Sequence, residues 1–123
     1  MMRILVVDDD PAELLLASIA LRDLGGFEVI LAQQGQEGVE RAKEELPDAI
    51  LIDVVLDDMD GPEVFQILRG SKDTSEIPVI FHTAKTDPSD VASLIALGAK
   101  GVIGKPFDPM HLADEIKRIL HQP

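Results

Sequence analysis

Short runs of purely apolar, largely β-branched residues recur along the chain at 4–7, 29–32, 49–52 and 79–81, and a weaker one, Val102 and Ile103, lies between Gly101 and Gly104. Runs of this length with no polar face are strands covered on both sides, the signature of a parallel sheet rather than of an antiparallel sheet with one wet face. Parallel neighbours need crossover connections, so the segments between the runs have to be helices.

Their spacing agrees. A helix is predicted over 11–24, with Asp9 or Asp10 at its start, Pro11 in its first turn and Gly25–Gly26 as its stop. A second over 36–45 places Val39, Ala42 and Leu46 on one face and ends before Pro47; a shorter third over 63–68 is opened by Gly61 and Pro62. The fourth, 89–97, follows Asp87 and Pro88 and ends at Gly98. The last is capped by Asp108 and runs to Leu120, with Leu112, Ile116, Ile119 and Leu120 as its apolar stripe. Five βα units with right-handed crossovers give an α/β, doubly wound (βα)5 sandwich around a five-stranded parallel sheet, as one domain over 1–123.

Composition narrows the function. Lys and Arg number 11 against 23 Asp and Glu, a formal charge of −12, which disfavours a phosphate backbone or an anionic membrane as a direct partner. The chain has no cysteine, which removes disulfides, thiolate metal sites and cysteine nucleophiles and suits a reducing, cytoplasmic setting. No 18-residue apolar stretch occurs, and the apolar N-terminal run is too short for a signal peptide.

Ligands of doubly wound sheets bind beyond the carboxyl ends of the strands. There the first strand ends in Asp8 and Asp9, the third in Asp53 and the fourth in Thr83, while Lys105 and Pro106 follow the fifth. Carboxylates a few ångströms apart repel by about 3 kcal/mol per pair at an effective dielectric near 20, so three of them call for a cation. Oxygen donors with no histidine or cysteine expected nearby select Mg²⁺, with Mn²⁺ as the alternative, over Zn²⁺. Lys105 adds a point charge and Thr83 a hydroxyl donor, which together describe a pocket for a phosphoryl group. A single acidic residue after a strand is ordinarily a cap or turn residue, and Asp10, Asp57, Asp58 and Asp60 are read that way.

With those residues in view, the chain resembles the receiver domain of bacterial response regulators over essentially its whole length. ILVVDDD is similar to the family's first strand with its acidic pair, ILIDVVLDDMDG to the strand and loop carrying the phosphorylated aspartate, VIFHTA to the switch strand, and KPF to the last motif. The resemblance implies that Asp53 accepts a phosphoryl group and that Asp8 and Asp9 hold Mg²⁺, one of them through water. It further implies that Asp53 and the backbone carbonyl of Val55 complete the metal shell, that Thr83 and Lys105 bind phosphoryl oxygens, and that the Lys105–Pro106 bond is cis. A histidine kinase or histidine phosphotransfer protein is then the donor. The output is a downstream protein target or an output domain elsewhere, and the domain modifies itself rather than turning over an external substrate. The alternative within the family is a degenerate receiver that acts as a phosphorylation-independent scaffold.

Three positions depart from the family pattern. Val102 stands where Tyr or Phe is usual, which leaves backbone shifts or a change of oligomer as routes for switching. Val55 and Lys85 occupy places that tune hydrolysis, and Val55 offers no hydrogen bond to a water, so a long-lived aspartyl phosphate is expected. Asp57 replaces the usual Pro and adds an acidic group beside the metal residues. His82 and His111 are read as packing residues and His121 as solvated, and part of the Leu14–Leu15–Leu16 cluster is expected to face a partner. Two other readings on a similar sandwich fail locally. An aspartyl phosphatase would want a second Asp at position 55, and a flavin carrier would want a Ser/Thr/Gly loop where Asp8, Asp9, Asp10 and Pro11 stand.

Overall fold

In the computed structural model, which describes residues 2–123, the strands are β1 (Arg3–Val7), β2 (Glu28–Ala32), β3 (Ala49–Asp53), β4 (Val79–Thr83) and β5 (Gly101–Gly104). All pair in parallel, in the order β2-β1-β3-β4-β5. The helices α1 (Pro11–Ile19), α2 (Gly35–Glu45), α3 (Gly61–Arg69), α4 (Pro88–Leu97) and α5 (Leu112–Leu120) follow the strands in turn. This is the (βα)5 sandwich expected from the apolar runs.

Side chains alternating along the strands feed two cores. Leu5, Val7, Ile50, Ile52 and Phe81 face α2, α3 and α4. Ile4, Val6, Leu51, Ile80 and Ile103 face α1 and α5. Burial on both faces explains why no strand reads as polar and apolar in alternation. β1 sits between β2 and β3, so the chain winds one way to β2 and the other way to β3, β4 and β5. The crevice at that reversal opens beside the carboxyl ends of β1 and β3.

Several boundaries differ from expectation. The helix predicted over 11–24 is α-helical only to Ile19, and its last turn, Ala20–Leu24, is π-helical. The fifth helix proper starts at Leu112. Asp108 instead closes the turn before it, its side chain accepting from Met110 N at 2.9 Å. Leu46, expected on the buried face of α2, is 52% exposed because it takes the left-handed C-cap conformation, φ 46°. α3 begins at Gly61, earlier than predicted, because Asp60 forms a capping box with Glu63.

Candidate functional site

The strand ends bring Asp8, Asp53 and Thr83 together in a buried row, at 3%, 5% and 6% exposure, with Asp9 half-buried beside them. Each is placed by backbone pairing that continues past its strand: Asp8 N donates to Ala32 O, Val54 N to His82 O, and Lys105 N to Thr83 O. Local turns then fix the side chains. Asp8 Oδ1 accepts from Asp10 N at 2.9 Å, Asp53 Oδ1 from Val55 N at 3.1 Å, and Thr83 Oγ1 from Lys85 N at 3.0 Å. The Lys105–Pro106 peptide is cis, as expected.

Lys105 is the one cation in contact with this group among the described residues. Its Nζ lies 2.5 Å from Asp53 Oδ2, 2.9 Å from Glu13 Oε2 and 3.9 Å from Asp8 Oδ2. The Glu13 contact is an ion pair without hydrogen-bond alignment, since Oε2 has no hydrogen-bond partner. Burial works against the Lys105 charge, but the hydrogen bond it donates to Asp53, its ion pair with Glu13 and the charges of Asp53 and Asp8 outweigh it and hold the ammonium above its ordinary range. Burial, aided by a hydrogen bond with Glu13 and the charge of Asp53, pushes the Asp8 carboxyl up to about 8 against the opposing Lys105. Partial burial and a hydrogen bond with Asp57 raise Asp9 as well. The pair partner Glu13 moves the other way, lowered by its hydrogen bond with Asp8 and by Lys105.

Carboxylates that hold protons against their nature are short of positive charge. One oxygen each from Asp8, Asp9 and Asp53 lie within 4.8 Å of one another, two of the three residues buried. The set is made only of oxygen, and it fits a hard dication. Above it opens a cleft of about 400 Å³ lined by Asp9, Glu13, Asp53, Val55, Thr83 and Lys105. The Val55 side chain stands at its mouth, 72% exposed.

All of the residues singled out at the strand ends thus meet in one crevice. The acidic neighbours divide as read from the sequence: Asp10 caps α1 through Ala12 N, and Asp60 caps α3. Asp58 caps a helix distant in sequence, accepting from Gly35 N and Gln36 N at the start of α2 at 2.8 and 2.9 Å. Asp57 is the exception, since its carboxyl reaches Asp9. Sequence reasoning passed over Glu13. The available signal was an acidic residue in the first turn of the helix that follows the acidic strand end, where it faces the same crevice.

The family model for the response regulator receiver domain matches residues 4–117. The chain is 36% identical over 120 residues to the DNA-binding response regulator MtrA of Mycolicibacterium smegmatis, which covers 98% of this chain and 51% of that protein. It is 35% identical to Protein PilH of Pseudomonas aeruginosa, with 98% of each chain covered. The chemotaxis response regulator CheY4 of Vibrio cholerae superposes with a TM-score of 0.90 at 31% identity, covering 97% of this chain and 98% of that one. The chain therefore spans about half the length of MtrA and nearly all of PilH and CheY4.

Proposed function

The chain belongs to the response regulator receiver domain family, and we propose that within it Asp53 accepts a phosphoryl group from a phosphohistidine donor and relays the signal by a conformational change. The observation that carries this reading is the buried Asp53 carboxylate held at 2.5 Å by Lys105 at the floor of an open cleft. In the transfer, an Asp53 oxygen bonds to phosphorus as the phosphorus–nitrogen bond breaks, and the electron pair leaves on the imidazole nitrogen, which takes up a proton. Lys105 neutralises charge on the acceptor and the incoming phosphoryl oxygens. The Thr83 oxygen already accepts from Lys85 N, which leaves its hydroxyl hydrogen free to donate into the cleft.

Asp8, Asp9 and Asp53, with the Val55 carbonyl, would hold Mg²⁺ or Mn²⁺. Bound there, the ion supplies charge neutralisation for the phosphoryl group. The donor is a histidine kinase or histidine phosphotransfer protein. The output is a protein target or an output domain, and the net charge of −12 argues against this domain itself gripping nucleic acid. In this reading the domain modifies and demodifies itself and processes no other substrate. No helix among the described residues is long and apolar enough to cross a membrane, which suits a cytoplasmic site of action.

Intact-mass spectrometry after incubation with acetyl phosphate tests the proposal. One phosphoryl group should be gained in the presence of Mg²⁺ and lost with chelator or in Asp53→Asn. No gain, repeated with a phosphorylated donor protein, would leave the scaffold reading in its place.

A further inference from the structure

His82 is a buried group with no part in the reading above. It lies at 3% exposure with Nε2 fully buried and without a hydrogen-bond partner, and Glu13 Oε2 is buried without one as well. A ring nitrogen of His82 and one carboxylate oxygen each from Asp8 and Glu13 lie within 4.8 Å of one another. A buried polar atom left unpaired is destabilising, and orphans in native structures ordinarily mark a missing water, ion or ligand. Here the buried His82 ring, with an unpartnered nitrogen, sits with the carboxyls of Asp8 and Glu13, the latter ion-paired with Lys105 at 2.9 Å.

We propose that His82, Glu13 and Asp8 form a second divalent-cation site, which takes an imidazole-seeking transition ion of the Zn²⁺ class and shares Asp8 with the oxygen-only group of Asp8, Asp9 and Asp53. The donor chemistry separates the two. One imidazole with two carboxylates suits Zn²⁺ and its first-row neighbours, whereas Mg²⁺ dehydrates reluctantly and gains little from nitrogen.

The imidazole is prepared for this role. Its Nε2 is buried and makes no hydrogen bond, so nothing in the protein competes with a metal for that nitrogen. The Phe107 ring packs against it with centroids 5.4 Å apart and limits its rotation. Zinc ligands at about 2.0–2.2 Å from the ion stand about 3.3–3.6 Å from one another, so the group must contract. Glu13 can supply that movement, because its side chain is 32% exposed and lines the cleft through which an ion would enter. Glu13 would leave Lys105, which keeps Asp53 at 2.5 Å.

Sharing Asp8 makes the two sites antagonists. A transition ion on His82 weakens Mg²⁺ binding, and Mg²⁺ weakens the transition ion by the same factor. This antagonism rests on the metal assignment made above, whereas the His82 site itself does not.

The test is a Zn²⁺ titration of the full chain, followed by nitrogen-15 NMR of the histidine side chains and by calorimetry, with and without excess Mg²⁺. The first equivalent should shift the His82 ring nitrogens before those of the exposed His111 and His121. Excess Mg²⁺ should weaken the Zn²⁺ affinity. His82→Leu should lower that affinity about tenfold or more, at least the loss caused by removing a supporting group around a metal. Mg²⁺ binding that persists in this variant shows that its fold and acidic group are intact. Glu13→Gln, at a partly exposed position, should reduce the affinity similarly and serves if His82→Leu does not fold. Zn²⁺ that perturbs only His111 or His121, or an affinity unchanged by both substitutions, would overturn the site. Failure of Mg²⁺ to bind the wild-type chain would count against the proposed phosphoryl chemistry, not against this inference.

Discussion

Replacing Lys105 with Met removes the one cation in contact with Asp53, Glu13 and Asp8, at 2.5, 2.9 and 3.9 Å, while keeping the apolar stem. At an effective dielectric of 20, the attraction to Asp53 alone is about 7 kcal/mol. The measured loss will be smaller, because the variant no longer desolvates an ammonium and can neutralise Asp8 with a proton. Removing one partner of a buried pair ordinarily costs about 3–5 kcal/mol, and we expect a value in that range.

Proton uptake makes the cost pH-dependent, with a definite sign. The folded Asp8 carboxyl is raised from 3.8 to about 8, so the folded chain binds more protons than the unfolded one between those values, and its contribution to stability falls as pH rises through that window. Loss of Lys105 raises Asp8 further and extends the window upward. Between pH 7 and 9 the variant's deficit should therefore grow by about 1 kcal/mol, since a tenfold change in the proton affinity of one carboxyl is worth about 1.4 kcal/mol. Both pH values lie above the range, about 4 to 6.5, in which His82 titrates with the opposite effect. Urea unfolding of both proteins at the two pH values, with and without 10 mM Mg²⁺ (about the concentration that a millimolar site needs), measures the effect. Mg²⁺ should recover part of the loss by taking the lysine's place among the carboxylates. A cost below about 1 kcal/mol at both pH values, or one that Mg²⁺ leaves unchanged, would refute the claim that Lys105 neutralises this cluster.

A methyl group added at Gly61 would sit 2.7 Å from the backbone oxygen of Asp53 and 3.0 Å from Val54 Cα; Gly61→Ala should lower stability by about 1–3 kcal/mol in urea unfolding and reduce phosphoryl uptake by displacing Asp53. Val55→Asn gives the cleft mouth a hydrogen-bonding group, and the loss of phosphoryl mass with time should speed up about tenfold, the equivalent of one ordinary hydrogen bond. The hydrogen bond that His111 Nδ1 donates to Asp108 Oδ2, 2.8 Å long, holds the imidazole above its usual 6.5. NMR titration should show that elevation, and Asp108→Asn should bring His111 back toward the ordinary value.

The strands and the crevice were legible because both rest on strong, one-dimensional signals. A run such as Ile4–Leu5–Val6–Val7, buried at 0–3%, has no exposed face to disguise it. Parallel topology then carries Asp8, Asp53, Thr83 and Lys105 to one edge without further information. What escaped depends on side-chain choices between segments. Asp58 caps α2 from 23 residues away, and spacing within a helix cannot announce a cap that arrives from another loop. The exposure of Leu46 follows from a left-handed backbone at the end of α2, a conformation the apolar pattern does not encode. Glu13 drew no attention in the sequence, because an acid in a first helical turn is ordinary, and only the fold places it against Lys105. His82 read as packing and is indeed buried, but its unpaired nitrogen is visible only once its neighbours are known. The leucine cluster divides: Leu14 is buried, while Leu15 and Leu16 are 62% and 43% exposed.

The two aspartates that grip helix starts on either side of the acceptor loop also set how much of that loop can rearrange. Asp58 is fastened to α2 and Asp60 to α3, and Gly61 N is tied back to Val54 O at 2.8 Å. Between those fastenings residues 55–57 are the least tied, held by the Val55 N–H on Asp53 Oδ1 and by Asp57 against Asp9, and this stretch carries the Val55 carbonyl and the Asp57 carboxyl toward the crevice. Most of the ordering of this loop therefore accompanies folding rather than ion capture, so the entropy lost when a cation arrives falls on three residues instead of seven.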